Sequence, residues 1–162
     1  MLLQHAIDSI ASTFYTQVMF ADYELQAHRL VESDQPVTAE VLNAMYSSLL
    51  DAYYGDVIEK EELSQFTWAR IPHFFSTPYY VYQYATCFAS TARLMQDIRS
   101  TDPGEHQDAV NRYLNLLKAG GSDYPMNLLA RAGVDLSQPD TVRAVSSELD
   151  ALVRRLEAEL AL

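Results

Sequence analysis

The chain has a single cysteine, Cys87, among 162 residues. It can form no internal disulfide, which excludes a cystine-stapled scaffold and fits a reducing compartment. Basic residues are scarce too: 11 Lys and Arg stand against 22 Asp and Glu, a formal net charge of −11. That balance repels phosphate backbones and anionic headgroups, so neither nucleic acid nor a membrane surface is an expected partner. It favours cationic ligands, although acidic surfaces more often serve solubility alone. No apolar run approaches the ~20 residues that span a bilayer. The opening Met1-Leu2-Leu3-Gln4-His5-Ala6 lacks the basic flank and long apolar core of a signal peptide. A cytoplasmic protein is expected. With five glycines, the chain has no Gly-rich phosphate loop and no GxSxG elbow.

Apolar residues make up 49%, an ordinary share for a globular protein. The length suits one domain with a sizeable core. Leu3, Ile7, Ile10, Phe14, Val18, Ala21 and Leu25 recur at helical spacing up to Leu30 and Val31, and Ser33-Asp34-Gln35-Pro36 ends that helix. Thr38 is an N-cap for the next, whose stripe is Leu42, Met45, Tyr46, Leu49 and Tyr53 before Gly55. Asp56 to Gln65 has no sustained period and reads as a loop or ragged turn. Thr67-Trp68-Ala69-Arg70-Ile71 reads as a short extended piece. Thr77 before Pro78 predicts a second N-cap, opening a helix through Leu94 and Ile98. Further helices are predicted from about Glu105 with Val110, Tyr113, Leu114 and Leu117, from Pro125, and after Pro139 with Val142, Val145, Leu149, Leu152, Leu156 and Leu160. The expected architecture is all-α, a compact multi-helix domain over residues 1–162.

The segment from Ile71 to Cys87 carries the most chemistry. His73 sits between Pro72 and Pro78, and Tyr79, Tyr80, Tyr82 and Tyr84 follow at the predicted helix entrance. Phenolic hydroxyls and an imidazole gathered at a helix start are donors suited to stabilising an oxyanion. Taken alone, a tyrosine cluster more often reflects half-buried packing than catalysis. Glu24 and His28, four apart on one helix, form either an ion pair at the helix surface or two candidate metal ligands, the first being the commoner arrangement. His5 and His106 fall near predicted helix ends and read as solvated. Met19, Phe20 and Met45 fit core packing. Cys87 has no neighbouring histidine–acid arrangement to activate a thiolate. Asp56, Glu59, Glu61 and Glu62 lack the ligand alternation of a calcium loop and read as a solvated turn.

Phe20-Ala21-Asp22-Tyr23-Glu24, Trp68-Ala69-Arg70-Ile71-Pro72-His73-Phe74 and Tyr80-Val81-Tyr82-Gln83-Tyr84-Ala85-Thr86 resemble, in the same order, segments of the oligoendopeptidase F family of thimet-type zinc metallopeptidases. Pro36-Val37-Thr38, Tyr53-Tyr54-Gly55, Lys118-Ala119-Gly120-Gly121-Ser122-Asp123-Tyr124-Pro125 and Ala132-Gly133-Val134-Asp135 extend the resemblance over nearly the whole chain. It implies the C-terminal part of a helical catalytic domain that admits short peptides. In that family zinc is held by an HExxH helix and a later glutamate, and the HExxH glutamate activates the metal-bound water. HExxH does not occur here, so no cofactor is expected in this chain and zinc is expected in the complete family enzyme. The resemblance implies that His73 bonds the substrate backbone or the developing oxyanion and that Tyr80 polarises the scissile carbonyl. Tyr79, Tyr82 and Tyr84 are the implied substrate-binding residues. Cys87 departs from the family, which has a small residue there; it either narrows the channel or fills the core.

Two functions follow. In one, the chain is the substrate-binding wall of a peptidase, inactive until joined by a chain carrying HExxH. In the other, it is a non-catalytic helical protein that binds peptides or self-associates. A domain cut through its core leaves an apolar face, so a homo-oligomer is expected.

Overall fold

Helical periodicity from Leu3 to Val31 produces one helical run from Leu2 to Glu32. The structure, a computed structural model, describes residues 1–161. The run comprises α1 (Leu2–Ile10), a π-helical segment (Ala11–Tyr15) and α2 (Thr16–Glu32). The π turn leaves no compositional mark. In the spacing of buried residues it does leave one, because Phe14 is followed by Met19, a step of five.

Next comes α3 (Ala39–Tyr54), capped as expected by Thr38, whose Oγ1 accepts the Val41 N–H at 3.4 Å. Gly55 closes it at φ 55°, a conformation glycine adopts without strain. A 3₁₀ helix follows (Glu62–Arg70), then the single turn α4 (His73–Ser76) and α5 (Tyr82–Ile98). The chain continues through α6 (Pro103–Ala119), α7 (Pro125–Arg131) and α8 (Pro139–Leu160). Among the described residues there is no strand, and the all-α expectation holds. No described helix is long and apolar enough to cross a membrane.

The described residues gather into two compact units. The first is Ser12–Ala85. Its core consists of Met19, Phe20, Tyr23, Tyr46, Leu49, Leu50 and Val81, with Trp68, Ile71 and Phe74 packed against them. The expected stripe of α3 faces this core. Residues 1–11 and 86–161 form the second unit, in which α1 packs on α8 and α6 on α7. Leu94, Ala132 and Val134 form a cluster there, flanked by Leu116 and Leu129.

Several local expectations are corrected. Trp68 to Arg70 is 3₁₀ helix rather than extended, with Ile71 N–H bonded to the Trp68 carbonyl at 3.1 Å. Tertiary anchoring decides this: Trp68 Nε1 donates to Asn43 Oδ1 at 2.8 Å, and its ring stacks on Tyr23. The same helix claims Glu62–Gln65 from the predicted loop. Thr77 is not an N-cap. Its N–H bonds to the His73 carbonyl and closes α4, and Pro78-Tyr79 form a turn before α5. On α6, Tyr113, Leu114 and Leu117 are exposed while Ala109 is buried, and on α8 Val142 is exposed while Thr141, Ala144 and Val145 are buried. On α6 the inward position is thus a small residue outside the predicted stripe, whereas on α8 two members of that stripe, Val145 and Leu152, are buried as expected.

Candidate functional site

The candidate site lies wholly within Ser12–Ala85, where the fold sorts alternate residues to opposite sides. Phe74 enters the core, its ring centroid 5.7 Å from Phe20 and 5.3 Å from Tyr23. Val81 and Ala85, four apart at the start of α5, are buried at 1% and 6% exposure. With these positions turned inward, Tyr80 and Tyr84 occupy another face and remain 37% exposed each. Although α5 proper begins at Tyr82, the Gln83 N–H already bonds to the Tyr80 carbonyl at 3.1 Å. Tyr80 is thus held in the entry turn, one turn before Tyr84.

His73 completes a trio with these two. Its ring stacks on Tyr80, centroids 5.3 Å apart and planes 5° apart. Tyr84 meets both rings edge-on, at 6.2 Å from His73 and 5.5 Å from Tyr80. A hydrogen bond with Tyr80 is the main reason the Tyr84 phenol is held above its ordinary pKa, with burial and the Tyr80 charge adding to it. When Tyr84 donates in this pair, the Tyr80 O–H is available to another acceptor.

The other predicted residues separate from this trio. Tyr82, 47% exposed, is two residues from each of its tyrosine neighbours and so lies on a different helix face. Tyr79 lies in the turn at φ 58°, and its ring sits 4.6 Å from the His28 imidazole. Glu24 is not at the helix surface: it is 4% exposed, and its Oε1 accepts the Tyr79 N–H at 2.7 Å. The sequence offered a signal for this, since Glu24 follows Phe20 by four residues and so falls at a core position of α2. His106 is exposed but anchored, with Nδ1 2.7 Å from the Ile98 carbonyl. Cys87 is exposed and does not fill the core.

What this arrangement can do is present hydrogen-bond donors to an oxygen on which negative charge develops. Zinc needs three or four converging His, Cys, Asp or Glu ligands. Among the described residues no three such side chains come together, so these residues do not fit a zinc site.

A model of peptidase family M3 matches residues 1–147 of the chain. The chain is 42% identical over 159 residues to the group B oligopeptidase PepB of Streptococcus agalactiae, covering 98% of this chain and 24% of that protein. It is 37% identical over 158 residues to the oligopeptidase PepF of Bacillus subtilis, covering 96% of this chain and 22% of that one. Among solved structures it matches oligoendopeptidase-F from Enterococcus faecium with a TM-score of 0.82 and 37% identity, over 94% of this chain and 30% of that one. The chain thus spans about a quarter of the length of the curated relatives it matches.

Proposed function

Because the chain belongs to peptidase family M3, a family of zinc metallopeptidases, we propose that it forms the carbonyl-polarising wall of an oligoendopeptidase F-like site for short peptides. The observation that carries this reading is the trio His73, Tyr80 and Tyr84, whose rings meet at the entrance of α5. A peptide carbonyl gains negative charge on oxygen as its carbon becomes tetrahedral. On this reading the Tyr80 O–H and one imidazole N–H of His73 meet that charge, with Tyr84 supporting Tyr80. Tyr79 and Tyr82 flank the trio and offer amphipathic surface to a peptide.

Zinc and the activated water belong to an HExxH-bearing portion, and the 162 residues alone do not hydrolyse peptides. Donors of this kind contribute about 3 kcal/mol each to a working site and do not replace its nucleophile. The test is complementation. The chain, an HExxH-bearing portion of an oligoendopeptidase F relative, and their mixture are each given a quenched fluorescent peptide with zinc. Turnover is expected from the mixture and from neither part alone. Turnover by the chain alone, with stoichiometric zinc, would overturn the proposal.

Exposure of Tyr113, Leu114 and Leu117 along α6 favours a second reading, that of a self-associating, non-catalytic helical protein. A silent mixture, together with peptide binding or a dimer by light scattering, would favour it.

A further inference from the structure

Glu24 is a carboxylate held at 4% exposure among the buried residues Met19, Phe20 and Tyr23 of α2. Burying a carboxylate is costly unless a donor meets it. The donor here is the Tyr79 N–H, 2.7 Å from Glu24 Oε1 and 55 residues away in sequence. Tyr79 has φ 58°, and a bulky side chain enters that left-handed region only with strain. One turn along from Glu24, His28 packs its imidazole 4.6 Å from the Tyr79 ring. A single face of α2 therefore holds both the amide and the side chain of Tyr79. The next residue is Tyr80, so the Tyr79 backbone sets the direction in which the Tyr80 phenol leaves the chain.

We propose that Glu24 is a positioning residue for Tyr80. It fixes the left-handed turn at Tyr79 and thereby keeps the Tyr80 ring stacked on His73. Glu24 acts through Tyr79 and touches no substrate. A charged acceptor makes a shorter and stronger bond to an amide than a neutral one, which suits a contact that must hold a strained residue. The inference rests on the reading of Tyr80 as the carbonyl-polarising donor, but the turn itself can be followed without turnover.

Two readouts test it. In the 162-residue chain, the Tyr80 ring resonances (assigned with a Tyr80→Phe variant) report the stacking on His73 by NMR. Glu24→Ala is expected to shift them, and Glu24→Gln, which keeps an oxygen acceptor, to leave them close to wild type. Adding Tyr79→Gly to Glu24→Ala should move them part of the way back, since glycine takes positive φ without strain. In the mixture with the HExxH-bearing portion, Glu24→Ala should lower kcat by about 10- to 100-fold, the effect of misplacing a reacting group by about an ångström, with a smaller change in KM. Glu24→Gln should restore most of kcat. Should Glu24→Ala fail to fold, Glu24→Met fills the same space without the acceptor and must give the same two results. Unmoved Tyr80 resonances, or a wild-type kcat, in a folded Glu24→Ala or Glu24→Met variant would overturn the proposal. If the wild-type mixture itself is silent, the functional reading fails, and the resonances alone decide whether Glu24 holds the turn.

Discussion

Between Ser12 and Ala85 aromatic rings share the core with Met19, Leu49, Leu50 and Val81, whereas residues 1–11 and 86–161 bury aliphatic and small side chains. In the first unit Phe20, Tyr23, Tyr46, Trp68 and Phe74 meet at centroid separations from 5.3 to 6.4 Å. In the second the buried positions are Ala89, Leu94, Ala109, Ala132, Val134, Ala144, Val145 and Leu152, among others. Aromatic packing is directional, and its polar handles need partners. Trp68 finds Asn43, and Tyr53 reaches Asp22 at 3.5 Å, but the buried Tyr23 hydroxyl has no partner among the described residues. Burial, with a smaller contribution from Tyr46, holds that phenol far above its usual pKa. In the second unit Arg143–Asp140 and Arg154–Asp150 are surface ion pairs, while Arg93 and Arg112 meet the partly buried Asp97. The contrast shows where orientation matters. The unit that holds His73 and the tyrosines accepts costly polar atoms in return for fixed ring directions, and the other gains stability from close helix contact.

Truncating a buried side chain should cost both units alike: Met19→Ala and Leu94→Ala are each expected to lower unfolding free energy by about 2–5 kcal/mol in urea. They should differ in one respect, with Met19→Ala shifting the Tyr80 ring resonances and Leu94→Ala leaving them in place. A smaller effect of opposite sign is expected from Tyr23→Phe. It removes a buried hydroxyl without a partner, so stability should rise by about 1 kcal/mol. A loss there would mean that the hydroxyl is satisfied by a group or water and that the aromatic core carries no such cost. Smallest should be Arg143→Ala, below about 0.5 kcal/mol by thermal melts, because both members of its ion pair are largely exposed.

Much of this fold was legible from spacing and punctuation. Thr38, Gly55, Pro125 and Pro139 mark helix boundaries through local backbone chemistry, and the structure places them there. The misread stretches are those where distant contacts override local preference. Thr77-Pro78 carries the local pattern of a helix start, yet Glu24, far away in sequence, takes the Tyr79 N–H, and the helix starts later. Trp68 belongs to a 3₁₀ helix because Asn43 and Tyr23 hold its ring. At the candidate site, the expected gathering of His73, Tyr80 and Tyr84 has a counterpart in ring contacts. The resemblance supplied their order along the chain. It could not supply the separation of Tyr79 and Tyr82 from the trio, which depends on one turn and on helix phase.

The most direct test of the account is the kcat of the mixture with Tyr80→Phe beside that of the wild-type mixture. The substitution removes one oxygen and keeps the ring on His73. A loss of about 10²- to 10³-fold in kcat with little change in KM is predicted, as for removal of a donor to a developing oxyanion. A kcat within about threefold of wild type would contradict the central claim that Tyr80 polarises the scissile carbonyl.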